Sequence, residues 1–337
     1  MKRWEIRGSG IDALDLADAP EPAPGPKQVL VRVRATSLNY RDVLTVEGRY
    51  RGVPGRPGLV PLSDGAGEVV GLGSEVTSLQ VGDRVAGNFF QTWHGGVWRG
   101  DHIPSAMGGG RDGMLSELVV LEEGGTVKLP AGYNFEEGAT LPCAALTAWN
   151  SVVTHGALGK DETLLVQGTG GVSVFALQIA RALGARVLAT SSSAAKIERL
   201  AGMGASASVN YRDNPEWEKA ILALTDKRGV DLVVEVGGAG TLEKSIRALA
   251  HCGRIMLVGV LAGGTQAANP FGLAMKNATL RGIYVGSSAE FAAMNRFFEQ
   301  HAIKPVIDRV FPFEDAKAAY AHLKSGAHYG KVVIAGA

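Results

Sequence analysis

Thr163–Leu183, TLLVQGTGGVSVFALQIARAL, decides the fold. Thr163–Gln167 is an apolar run of the length of a buried parallel strand, and Gly168, Gly170 and Gly171 follow it at once. Val172–Leu183 then places Val172, Phe175, Ile179 and Leu183 at the spacing of a helix with one face on a core. Strand, glycine turn and helix in that order form the phosphate-binding corner of a dinucleotide fold. Gly168 permits the tight turn, and Gly170 lets backbone approach a pyrophosphate. The helix N-terminus offers free N–H groups and a positive dipole end. Ser173 stands where the fingerprint has Gly or Ala, a position that asks only for close helix–strand packing. Taken alone, the stretch also fits an ordinary glycine-rich strand–helix turn.

The sequence that follows favours the dinucleotide reading. Ala185–Thr190, Ala207–Asn210, Val230–Val236, Arg254–Val260 and Thr279–Val285 read as further strands. Between them Ala194–Met203, Asn214–Thr225 (Asn214 as cap, Pro215 at its first position) and Thr241–Leu249 read as helices. The runs are near-continuously apolar, as strands covered on both faces are. Alternating strand and helix predicts an α/β, doubly wound parallel Rossmann sheet.

Composition sets the remaining bounds. The length of 337 residues suggests about two domains. A net charge of +1 gives no support for a nucleic-acid partner. No apolar stretch reaches the ~18 residues of a membrane span. The opening MKRWEIRGSG has no apolar signal core, which predicts a cytoplasmic protein. Two cysteines, Cys143 and Cys252, cannot make a disulfide framework or a four-cysteine zinc site.

The chain before the glycine loop reads differently. Val29–Ala35 alternates apolar and charged residues as a half-exposed antiparallel strand does, and Leu62–Gly73, Gln80–Val85 and Leu115–Leu121 are further short strands. Frequent turns between them predict a barrel-like β domain. Phe89–Gly113, rich in aromatics and glycine, reads either as a wall of a substrate pocket or as an excursion anchored by its aromatics. His94, Asp101 and His102 within it have no spacing that fixes a metal site. Tyr133–Val153 reads as helical. Ala289–Gln300 and Asp315–Ser325 read as helices and Lys331–Ala335 as a last strand, returning to the β domain. The expected domains are 1–128 with 266–337, and 129–265, with 279–285 extending the parallel sheet and the active cleft lying between the two.

Several stretches together resemble the medium-chain dehydrogenase/reductase superfamily over nearly the whole chain: ATSLNYRD (35–42), PLSDGAGEV (61–69), GDRV (82–85), GATLPCAALTAW (138–149), the 168–172 loop and GKVVI (330–334). The resemblance implies a GroES-like β-barrel domain beside the Rossmann sheet. Where zinc members carry Cys, His and Cys, this chain has Asn39, Ser63 and Cys143. Asn and Ser are poor zinc ligands, so the chain looks like the zinc-free branch, with quinone oxidoreductase and zeta-crystallin, and no metal is expected. Asn39, Asp42 and Tyr50 match the polar residues of that branch and are the catalytic candidates. The resemblance implies cofactor binding by Asn39, Thr147, Gly168, Thr169, Gly170, Gly171, Val172, Gly259, Val260 and Lys331.

Without a Lewis acid, alcohol oxidation is a poor task, whereas hydride addition to a conjugated acceptor spreads charge onto a remote oxygen. Quinones and activated alkenes or carbonyls fit. Asn39 is expected to orient cofactor or acceptor. Tyr50 either donates to the substrate oxygen or packs its loop, and Asp42 either orders its loop or joins the chemistry. After the second strand come Ser191, Ser192, Ser193 and Lys196, with no carboxylate to meet a ribose 2′-hydroxyl. Hydroxyls and a lysine suit a 2′-phosphate, with Tyr211 and Arg212 on the same side, so NADP(H) is the expected cofactor. A 2-enoyl-thioester reductase, with Arg49, Arg51 and Arg56 at its entry, and a non-enzymatic NADPH-binding protein of crystallin or RNA-binding type are the alternatives. The apolar strand Thr279–Val285 at a sheet edge predicts a homodimer.

Overall fold

The computed structural model describes residues 1–50, 56–259, 261 and 269–336. The chain divides into two units, Thr147–Tyr284 and Met1–Leu146 with Val285–Ala337. The boundaries expected from sequence, at 128/129 and 265/266, fall earlier in both cases. The turns of Leu141–Ala145 pack on the β domain, and the sixth parallel strand stays with its sheet.

The contiguous unit is a six-stranded sheet. Its strands are β1 (Thr163–Gln167), β2 (Arg186–Ser191), β3 (Ala207–Asn210), β4 (Val230–Glu235), β5 (Leu249–Leu257) and β6 (Thr279–Gly282). All pairings are parallel, in the order β3-β2-β1-β4-β5-β6. Every residue of β1 and of β4 is buried, as two covered faces require. Leu165, Leu188, Val233 and Ile255 are fully buried against Trp217, Ile221 and Ile246. Burying each such side chain is worth about 2 kcal/mol. The chain runs outward from β1 to β3, then returns to β4 on the other side of β1. The strand order therefore reverses between β1 and β4, where open α/β sheets bind ligands at their carboxyl ends.

Some local expectations are corrected. The third helix is Trp217–Ala223, capped by Glu216 rather than Asn214, because buried Trp217 must enter the core. The Asn214 N–H is used in a turn to Asn210 O. The glycine-loop helix is Gly171–Ala182, buried over Ser173–Leu177 and at Ile179 and Ala180, while Val172 and Leu183 are only half-buried. β5 starts at Leu249 and stops at Leu257, because the next two N–H groups, of Val258 and Gly259, both turn to Glu235 O.

The discontinuous unit is built on one long strand, Gln28–Leu38. Val29, Val31 and Val33 face the core while Arg32 and Arg34 face out. Its first half pairs with Leu118–Glu122 and its second with Lys331–Ala335, both antiparallel. Asp64–Leu72 pairs along it with two register breaks, which bend it. Tyr133–Val153 is less regular than expected: helix Phe135–Ala139 is followed by wide turns at Leu141–Ala145 and Asn150–Thr154 that bracket Leu146–Trp149. No helix among the described residues is long and apolar enough to cross a membrane.

Candidate functional site

The register of the long strand assembles a polar cluster in the discontinuous unit. Ser37 pairs with Asp64 on one side, and Leu38 with Val332 on the other. Lys331 and Asp64 thus flank the strand end just where Asn39 caps the helix Tyr40–Val46. The buried Lys331 ammonium donates to Leu38 O and to Asn39 Oδ1, each at 2.7 Å, with Asp64 Oδ2 at 3.6 Å. Asp64 accepts from the Ser63 hydroxyl at 2.7 Å and the Cys143 N–H at 3.3 Å. Asn39 Nδ2 is buried and has no hydrogen-bond partner among the described residues. An unmet buried donor costs about 1–3 kcal/mol, so this one calls for a reason.

Asp42 is buried and accepts from the Asn39 N–H at 2.7 Å, so it does order its own loop. Burial pushes its carboxyl up to about 6, against the opposing charge of Arg41. Arg41 donates to Met107 O and Gly108 O and lies over the rings of Tyr50 and Phe89, at 5.2 and 4.8 Å from their centroids. Tyr50 therefore packs against this cluster through its ring face.

A zinc ion does not fit these donors. Asn39 Oδ1 is taken by an ammonium, and a second cation there would meet Lys331 head on. The Ser63 hydroxyl is spent on Asp64. Burial, then the Asp64 charge, pushes the Cys143 thiol above its ordinary value, and one thiol is a single ligand of the three that a catalytic zinc needs.

In the contiguous unit, Gly168 has φ +71°, a left-handed turn, and its N–H donates to Thr190 O at 2.7 Å. Gly170 caps the following helix, and a Cβ there would meet nothing within 4 Å, leaving that side open. These features fit a dinucleotide pyrophosphate. Thr169 is buried beside Gly168, and Ser173 donates its hydroxyl to Gln167 O at 2.6 Å, which accounts for serine at the third small position. Ser191 is buried at the end of β2, and Ser192 is half-buried. Ser193 caps the helix Ala194–Gly202 through its backbone, its hydroxyl making no capping bond. Half-buried Lys196 lies in that helix's first turn, and exposed Tyr211 donates its N–H to Ser191 O at 2.9 Å. Gly259 approaches Val236 so closely that a Cβ would come within 2.6 Å of its carbonyl oxygen. Thr147 is buried in the Leu146–Trp149 turn and accepts from Ser151 through its carbonyl. Val260 and Arg51 lie outside the described residues.

The Phe89–Gly113 excursion is anchored by its aromatics. Phe90 meets Phe89, Trp93 and Trp98 edge-on, at 4.7, 6.1 and 6.3 Å between centroids. Trp93 O and His94 O accept from Ser288 and Ala289. His94 and His102 bond within their own loop, and no cluster of three or more His, Cys, Asp or Glu among the described residues could hold a metal.

Residues 25–131 match the alcohol dehydrogenase GroES-like domain, and 171–300 the zinc-binding dehydrogenase domain. A zinc-type alcohol dehydrogenase-like protein of Schizosaccharomyces pombe is 41% identical, over 97% of this chain and 96% of its own. The chain belongs to the medium-chain dehydrogenase/reductase superfamily. A quinone oxidoreductase of Pseudomonas aeruginosa, also of this superfamily, is 32% identical over 96% of each chain. A solved NAD-dependent alcohol dehydrogenase superposes with a TM-score of 0.88 at 33% identity, covering 99% of each. The α/β architecture with a GroES-like domain is that of the superfamily, and the protein is an oxidoreductase of a family that uses a nicotinamide cofactor.

Sequence reading nominated Asn39, Asp42 and Lys331, which the structure brings together, but passed over Asp64 and Arg41. It also passed over Glu235 and Gln167, which meet at the ends of β4 and β1. The available signal was a carboxylate inside an apolar run, as in VDLVVEV.

Proposed function

We propose that the protein is a zinc-independent, NADPH-dependent reductase of quinones or of activated alkenes and carbonyls. Asn39 carries this reading: its Oδ1 is fixed by Lys331, and its buried Nδ2 is an unmet donor. When bound, the nicotinamide supplies hydride. The chain's part is to present a hydrogen-bond donor to the acceptor oxygen that gathers the negative charge, and Asn39, polarised by the ammonium behind it, has that form. Solvent then returns a proton to the reduced product. Asp42 and Tyr50 support this group through the loop and Arg41.

The glycine loop, Thr147, Ser191, Ser192, Lys196, Tyr211, Gly259 and Val260 form the proposed cofactor site, and Lys331 serves it through Asn39. Hydroxyls, a lysine and no acid before Glu198 favour the 2′-phosphate of NADPH. The solved relative named for NAD makes titration with both cofactors the deciding measurement. The enoyl-thioester reading stays as the alternative; of its entry arginines, Arg49 is paired with Glu47 and Arg56 with Asp112. We further propose a cytoplasmic homodimer: β6 is exposed along its length, and Leu280, Phe271 and Met275 leave apolar surface near it.

NADPH oxidation with a panel of quinones and enones tests the activity. Turnover with these, and little with enoyl thioesters, is the expected result. No turnover with any acceptor, despite NADPH binding, would leave the non-enzymatic reading in its place.

A further inference from the structure

The carboxyl ends of β1 and β4, where the strand order reverses, are joined by a buried hydrogen-bond network. Glu235, the last residue of β4, is fully buried and no salt bridge reaches it among the described residues. Its Oε1 accepts from the N–H groups of Gly237 and Gly238 at 2.8 and 3.0 Å and from the Thr241 hydroxyl at 2.5 Å. Its Oε2 accepts from Gln167 Nε2 at 2.8 Å and from the Ser245 hydroxyl. Gln167, the last residue of β1, gives its second amide hydrogen to Ser245 Oγ at 2.8 Å. Its Oε1 accepts from the Val236 N–H at 3.2 Å and the Gly237 N–H at 3.4 Å.

Each donor and acceptor in this network has one workable role. A carboxylate only accepts, so Ser245 and Thr241 must donate to it, and the Gln167 amide can point only one way. The covalent neighbour of Gln167 is Gly168, where the phosphate turn begins. The other partners, Gly237 to Thr241, are the turn that follows β4. The carboxylate thus ties together the two loops on either side of the reversal point.

We propose that Glu235 is a positioning residue for the dinucleotide: its carboxylate sets the Gln167 amide and the 237–241 turn, and through them the phosphate loop. Five neutral donors meet its oxygens, which is what allows the carboxylate to be buried. This rests on the reading of the glycine loop as a cofactor site.

The isosteric variant Glu235→Gln isolates the role. Whichever way the new amide points, its NH2 faces an N–H donor, Gln167 Nε2 on one side or Gly237 and Gly238 on the other. The double variant Q167E/E235Q restores a full set of donors and acceptors. The new carboxylate at position 167 accepts from the Val236 and Gly237 N–H groups, from the Ser245 hydroxyl and from the new amide at position 235. NADPH and NADH dissociation constants, KM for the cofactor, kcat and thermal midpoints are measured for wild type and both variants. E235Q is expected to bind its cofactor roughly tenfold more weakly or worse, with the double variant recovering most of that loss. KM for the cofactor should rise more than kcat falls.

Unchanged cofactor affinity in folded E235Q would overturn the inference. So would a double variant that regains its thermal midpoint but not its affinity, since the network would then be structural only. If E235Q does not fold, the double variant decides: folding with near-wild-type affinity supports the proposal, and folding without it refutes it. A wild-type protein that binds neither dinucleotide would overturn the cofactor reading itself, a result distinct from equal binding by wild type and variant.

Discussion

Replacing Lys331 by methionine tests the cluster around Asn39 most directly. Methionine keeps the length and apolar stem of lysine but removes the ammonium. The wild-type group makes two bonds of 2.7 Å, to Leu38 O and Asn39 Oδ1, and stands 3.6 Å from Asp64 Oδ2. Each charge-assisted bond contributes about 1.5–3 kcal/mol, and the loss also leaves two acceptors and a buried carboxylate short of compensation. Breaking a buried pair in this way costs about 3–5 kcal/mol, a large share of the roughly 5–15 kcal/mol that holds a typical domain. The urea midpoint, followed by the fluorescence of the chain's five tryptophans, should fall accordingly. Asn39 would lose its anchor, so kcat should drop on the order of 10- to 100-fold even under conditions where the variant is folded. NADPH affinity should change much less, because the phosphate loop lies in the other unit. An unfolding free energy within about 1 kcal/mol of wild type, or an unchanged kcat, would refute the reasoning.

Folded Asp42 keeps its proton up to about pH 6, whereas the unfolded side chain releases it near 3.8, so rising pH through that window favours the unfolded chain. Asp42→Asn should flatten that part of a urea-midpoint profile and remove a penalty of roughly 3 kcal/mol above pH 6, less whatever the weaker Asn39 N–H bond loses. Incubation with a strong chelator should leave turnover unchanged, and elemental analysis of active protein should show no stoichiometric zinc. Lys196→Ala should weaken NADPH at least tenfold in a fluorescence titration while leaving NADH nearly as before. Light scattering should give twice the chain mass at micromolar concentration. Leu280→Pro should shift it to the monomer. The Ile283 N–H already bonds inward to Leu257 O, and alternation turns Leu280 outward to the free edge.

The parallel sheet was the easiest part to read in the sequence, because buried strands such as TLLVQ and VDLVVE are mostly apolar and alternate with helical stretches. Boundaries were less legible. The start of the helix at Trp217 was set by one large side chain that had to reach the core, against the local signal of Asn214 and Pro215. In the site, Asn39, Asp42 and Lys331 were found through short matched motifs. Their grouping was not legible, since it depends on the register of strands some three hundred positions apart. Asp64 and Glu235 were hidden for a related reason: a carboxylate in an apolar strand looks like a misfit until its donors are known, and those donors come from distant loops.

The long strand Gln28–Leu38 also governs when a molecule becomes competent. Ser37 bonds a carbonyl 295 residues further along the chain, and Lys331 reaches back 293 residues to Leu38. At roughly 5–20 residues per second, a ribosome takes on the order of tens of seconds to cover that distance. Meanwhile the second half of the strand has one side unpaired, a surface on which neighbouring nascent chains could dock. Thr147–Tyr284, by contrast, is contiguous and emerges complete while the other unit waits. Synthesis therefore imposes an order: the parallel sheet first, and the ammonium that bonds Asn39 last. Under the roles proposed above, a chain that ends before Lys331 would keep the proposed cofactor loop and lack the ammonium that anchors Asn39.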